Sequence, residues 1–119
     1  MNRLKTICST FALVALGQHA MACDAPAKVT VPDGETASKE ELVATQKAVK
    51  DFIASMDAYL ECIVEEEKLA RQAMDNLEPE VEQRREELLT QKYNAGVDSM
   101  KVVEAEWNAT VQAYKKRSD

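Results

Sequence analysis

The stretch LARQAMDNLEPEVEQRREELL, residues 69–89, decides the fold, because it breaks one long apolar periodicity into two at Pro79. A proline ring disfavours helical geometry at the residue before it, here Glu78, and suits the first turn of a new helix, so the break falls near Asn76 to Glu78. Counting back from it in steps of three and four returns Leu77, Met74, Ala70, Glu67, Ile63, Leu60, Met56, Ile53, Val49, Gln46 and Leu42, a heptad seam with nine of eleven positions apolar. Counting forward gives Leu89, Tyr93, Gly96, Met100, Val103, Trp107, Thr110 and Tyr114 at the same spacing.

Folding the chain back at the break aligns the two seams. Ile63 then faces Tyr93, Leu60 faces Gly96, Met56 faces Met100, Ile53 faces Val103, Val49 faces Trp107, Gln46 faces Thr110 and Leu42 faces Tyr114. Large meets small at Leu60 and Gly96, and polar meets polar at Gln46 and Thr110. The expected architecture is all-α: a long antiparallel, coiled-coil-like hairpin with helix one over about 39–77 and helix two over about 79–116, each on the order of 55 Å long at 1.5 Å per residue. Ser38 and Glu41 have the spacing of a capping box, which sets the first helix start, and Lys115, Lys116 and Arg117 complement the negative end of the second.

Upstream of Ser38 the pattern changes twice. Residues 23–37 carry Pro26, Pro32 and the turn-forming Pro32-Asp33-Gly34, and read as an extended arm. Residues 1–22 combine Arg3 and Lys5, an uncharged and mostly apolar run from Thr6 to Gly17, and small residues at Ala20 and Ala22, the pattern of a secretory signal peptide. The run is well short of the ~20 apolar residues that span a bilayer. Export to a bacterial periplasm or beyond is the expectation, with a mature chain from Cys23 through the hairpin of residues 38–119. Loss of Arg3 and Lys5 takes the formal charge from −6 to −8, which disfavours nucleic acid and anionic membrane as partners.

Cleavage after Ala22 removes Cys8 and leaves Cys23 and Cys62, and a pair in an exported chain of this size reads as a disulfide. The rival is lipidation of Cys23 as the first residue of a lipoprotein, which would make the hairpin a membrane-anchored spacer. Ala20 and Met21 are atypical of a lipoprotein signal, and lipidation would strand Cys62 as an exported free thiol. Cys62 lies beside the seam on a flank shared with Phe52, Ser55 and Tyr59. An extended arm spans roughly 50 Å against the roughly 36 Å of helix from Ser38 to Cys62, so it reaches, and Val29 and Val31 can cover Phe52 and Tyr59 on the way.

Cys23, the turn Val31-Pro32-Asp33-Gly34, the run Gln46-Lys47-Ala48-Val49-Lys50 and the element Tyr59-Leu60-Glu61-Cys62 together resemble a group of small, uncharacterised exported helical proteins of proteobacteria. The resemblance covers roughly residues 23–66. It implies export and a cysteine pair, and carries no activity with it.

Reactive constellations are scarce. His19, the sole histidine, belongs to the leader, so a histidine-dependent triad or metal site is excluded from the mature chain. Glu82 and Glu86, one turn apart near the hairpin tip, are candidates for a divalent cation, but Arg71, Arg84 and Arg85 are interspersed and the preferred reading is a solvated, loosely packed tip with helix-spaced ion pairs. Met56, Met74 and Met100 sit on the seam and read as core, as do Trp107 and Tyr114. No glycine-rich phosphate loop is present, and Gly96 fits close helix approach. The expectation is a non-catalytic protein without cofactor or metal. Val43, Val64, Leu69, Val81, Leu88, Val97 and Val111 lie off the seam and call for a protein partner or a self-dimer.

Overall fold

The structure is a computed structural model and describes residues 23–118. The leader read at Met1 to Ala22, with Cys8 and His19, lies outside the described residues. The described residues form two helices, α1 (Lys39–Gln72) and α2 (Pro79–Ser118), packed antiparallel as the two seams require.

α1 starts where its capping chemistry places it. Ser38 is extended, its Oγ accepts from the Glu41 amide at 3.1 Å, and its own amide donates to Glu41 Oε2 at 2.7 Å. The Ser38 amide donating to the carboxylate, with a smaller contribution from the Ser38 hydroxyl, favours the ionised form and holds Glu41 below its ordinary pKa. Asp33 organises the approach: its carbonyl accepts from the Thr36 and Ala37 amides, and its Oδ1 accepts from the Glu35 amide at 2.9 Å. The turn therefore occupies Gly34 to Thr36, with Asp33 as its acceptor.

α1 ends at Gln72, five residues before the expected 77. Pro79 keeps Glu78 out of the helix, and the connection needs a further bend that Asn76 provides at φ 54°, in the left-handed region where a short polar side chain is tolerated. Met74, expected on the seam, is consequently 41% exposed in the connection. α2 begins at Pro79, with the Glu78 carbonyl accepting from the Val81 and Glu82 amides, and continues two residues beyond the expected 116.

The core runs along Val49, Phe52, Met56, Leu60, Ile63 and Val103, the last fully buried. A Cβ added to Gly96 would lie 2.8 Å from Leu60 Cδ2 and 3.1 Å from Met56 Sδ, so the paired register at Leu60 and Gly96 is present, and a larger residue would have to push back the ends of those two side chains. Two details of the seam differ. Phe52 is 4% exposed while Ile53 is only half-buried, and Thr45 is buried while Gln46 is exposed. The arm is the cause: Cys23 and Val29 pack against the core cluster that holds Phe52, forming a third layer that widens the buried stripe of α1 to that side. The expected facing of Gln46 and Thr110 is absent for the same reason. Thr110 Oγ1 donates instead to the Pro32 carbonyl at 2.8 Å, and Thr45 Oγ1 to the Glu41 carbonyl at 2.7 Å.

Candidate functional site

Three features carry whatever this molecule can do: the crosslinked arm, the charged layer near the tip and the apolar side chains the arm leaves bare. Cys23 and Cys62, the two residues singled out for a disulfide, are bonded to each other with Cα atoms 5.7 Å apart. Extended geometry brings the arm back over one turn after another of α1, and the crosslink fixes its first residue at the level of Cys62.

The arm lies in the groove between the helices, and its polar anchors come from α2. Besides the Thr110 bond to Pro32, Arg117 Nη1 donates to the Glu35 carbonyl and Nη2 to the Ala37 carbonyl, each at 2.8 Å. The same guanidinium stands 4.8 Å over the Tyr114 ring. Gly34 is buried because its Cα rests on α2, and an added Cβ would overlap the Thr110 carbonyl oxygen, a backbone atom that cannot give way. Sequence reasoning assigned Arg117 to the helix dipole and Gly34 to the turn. Nothing in their spacing signals that both serve contacts about eighty positions away in the chain.

Near the tip, Glu67 occupies a seam position and is not solvated as expected. Its side chain is 17% exposed and sits between two arginines: Oε1 accepts from Arg71 Nε at 3.0 Å and Arg85 Nε at 2.8 Å, and Oε2 accepts from Arg85 Nη2 at 2.9 Å. Arg85 thus grips Glu67 with two of its three nitrogens and joins α2 to α1, while the Arg71 pair is the helix-spaced one. Glu82 and Glu86 each come within 3.7 Å of Arg71 Nη1, which places a cation of the protein where a metal reading would need an empty cage. Among the described residues no group of three His, Cys, Asp or Glu is arranged to hold a metal ion.

Burial by itself pushes the Glu67 carboxyl up, and the hydrogen bonds and charges of Arg85 and Arg71 outweigh it, so the group is held below its ordinary pKa. A depressed folded-state value gives stability that is present above the unfolded pKa of about 4.3 and is lost as pH falls through the folded pKa. Thermal melts between neutral and strongly acid pH are expected to show this loss in the native protein. In Glu67→Gln that component of the acid slope should vanish, and the melting temperature at neutral pH should be lower by a few degrees because two half-buried guanidiniums lose their shared acceptor. An unchanged acid slope would remove Glu67 as its source.

Cys23 is bonded at the level of Cys62, and between that level and the tip the described residues are two helices with no third layer. On the face away from the arm, Val64 and Tyr93, 42% and 41% exposed, stand over Leu60 with Asp57, Glu61 and Glu65 around them. Past Cys23, Ile63, Ala70, Leu88 and Leu89 line a second groove together with the charged Glu66, Glu67, Arg85 and Lys92. Of the two aromatic residues read as core, Trp107 packs half-buried against the core and Tyr114 is half-buried beneath Arg117. No helix among the described residues is long and apolar enough to cross a membrane. Comparison with protein-family models, curated proteins and solved structures finds no match to this chain.

Proposed function

We propose that the chain is a small exported protein of the bacterial envelope, periplasmic or secreted, that acts without catalysis by associating with a second copy or another protein through its apolar helix flanks. The observation that carries this reading is the bare half of the hairpin, where Val64 and Tyr93 are exposed together and Leu88 is exposed at the second groove. Two helices bury only one stripe each, and large side chains outside it stay wet until another surface covers them. Export is supported by the composition of Met1 to Ala22 and by the crosslink, which persists in oxidising compartments. With its Sγ bonded to Cys62, Cys23 has no sulfur to offer a thioether-linked lipid, which supports an unanchored chain over the lipoprotein spacer.

Sedimentation of residues 23–119, native and carrying Val64→Asp with Tyr93→Asp, tests the reading. Both positions are exposed, so the variant should keep its helical signal. Association in the native protein that disappears in the variant is the expected result. A native protein that sediments as a monomer and binds no apolar dye would remove the motivation for it. Intact mass from the native envelope separates the alternative, since a lipidated Cys23 carries the added mass of a diacylglyceryl group.

A further inference from the structure

The two halves of the arm are held by different means. Residues 32–37 are pinned by hydrogen bonds from Thr110 and Arg117 and by the seating of Gly34 on α2, none of which involves a cysteine. Residues 23–31 make no hydrogen bond among those of the described residues; they have the disulfide, the packing of half-buried Pro26, Val29 and Val31, and one ion pair, Lys28 to Glu106 at 3.7 Å with both side chains largely exposed. Ordering nine residues costs more conformational entropy than three half-buried side chains, none of them fully covered, and an exposed ion pair return, so the crosslink is what keeps this half down. Both sulfur-bearing residues are only half-buried, within reach of a reagent from solution.

We infer that Cys23–Cys62 is a reducible latch and that residues 23–31 form a strap hinged at Pro32, which a dithiol reductant releases to open the groove over Phe52 and Tyr59 while the hairpin stays folded. This goes beyond the association reading and does not depend on it. In the step, a thiolate of the dithiol attacks one cysteine sulfur, the Cys23–Cys62 bond breaks, and the departing sulfur takes the electron pair and a proton. The second thiol of the reductant then displaces the mixed disulfide, leaving two protein thiols and an oxidised reductant, a two-electron, two-proton exchange. Release strips Val29 and Cys23 from the core flank and converts a covered apolar surface into an open one.

The test is backbone ¹⁵N relaxation on residues 23–119 before and after treatment with dithiothreitol. Oxidised, the whole arm should show order parameters of about 0.85. Reduced, residues 24–31 should fall below about 0.6, with 33–37 and both helices unchanged, and reoxidation should restore them. An arm that stays rigid throughout, an arm released as one piece to Ser38, or helices that lose order together with it would each overturn the inference. Thr110→Val with Arg117→Leu supplies the second measurement. In the reduced variant, residues 33–37 should lose order as well, and if they stay rigid the hydrogen bonds of Thr110 and Arg117 are not what pins this half of the arm.

Discussion

Replacing Phe52 with alanine is expected to destabilise the protein by about 3–4 kcal/mol, whereas Ile53→Ala costs only about 1–2 kcal/mol, a difference measurable by urea or thermal unfolding of the two variants. A strict two-helix seam predicts the reverse, because Ile53 is the heptad position and Phe52 its neighbour on the flank. The structure buries Phe52 to 4% exposure and leaves Ile53 half-buried, since the arm forms a third wall over the Phe52 side. Truncating Phe52 removes a ring from a space bounded by two helices and a crosslinked strap, and collapse into that space is restricted by the crosslink. Against a total stability of roughly 5–15 kcal/mol for a small domain, the loss is a large fraction. Equal losses at the two positions would mean that the arm does not cover Phe52 in solution.

That contrast also shows how far local sequence reaches. The hairpin, its break at Pro79, the start at Ser38, the pairing of Leu60 with Gly96 and the partnership of Cys23 with Cys62 all follow from short-range rules: apolar period, proline geometry, a capping box, a size match and a count of two thiols. The misses are of another kind. Phe52 over Ile53 and Thr45 over Gln46 depend on a third layer whose position no periodicity encodes. Glu67 looked like a fault in the seam, and is instead the acceptor for Arg85, eighteen positions away across the turn. Extending the facing register past Ile63 sets Glu67 opposite Leu89 and puts Arg85 one turn nearer the tip, so the register alone does not pair the two, and only the reach of a long arginine side chain brings them together. Arg117 and Gly34 gave no signal either, because their partners are backbone carbonyls, which every residue has. The early end of α1 has the same origin. Met74 and Leu77 satisfy the spacing, but a reversal needs residues of its own, and Asn76 supplies the left-handed one.

Removing the crosslink, as Cys23→Ser with Cys62→Ser, is expected to cost about 4 kcal/mol in the chain-entropy model for a loop closed across a sequence separation of 39. For a chain of this length that corresponds to a fall in melting temperature on the order of 15–30 °C. The helices themselves should persist at low temperature. Ser38 and Glu41 still cap α1, Arg85 still joins Glu67 across the tip, and Leu60 still closes on Gly96, none of them through sulfur. Circular dichroism melts of the native and double-serine proteins measure the fall, and one further variant identifies where it comes from. If the crosslink acts only by restricting the unfolded chain, Phe52→Ala costs the same with and without it, because the folded neighbours of Phe52 are unchanged. If residues 23–31 leave the groove once untethered, Phe52 is already partly exposed in the double-serine protein, and its truncation there should cost about 1–2 kcal/mol in place of 3–4, a coupling well above the scatter for independent sites. The cycle therefore separates a staple that works on the unfolded ensemble from a strap that covers the folded core, and additive costs would exclude the second.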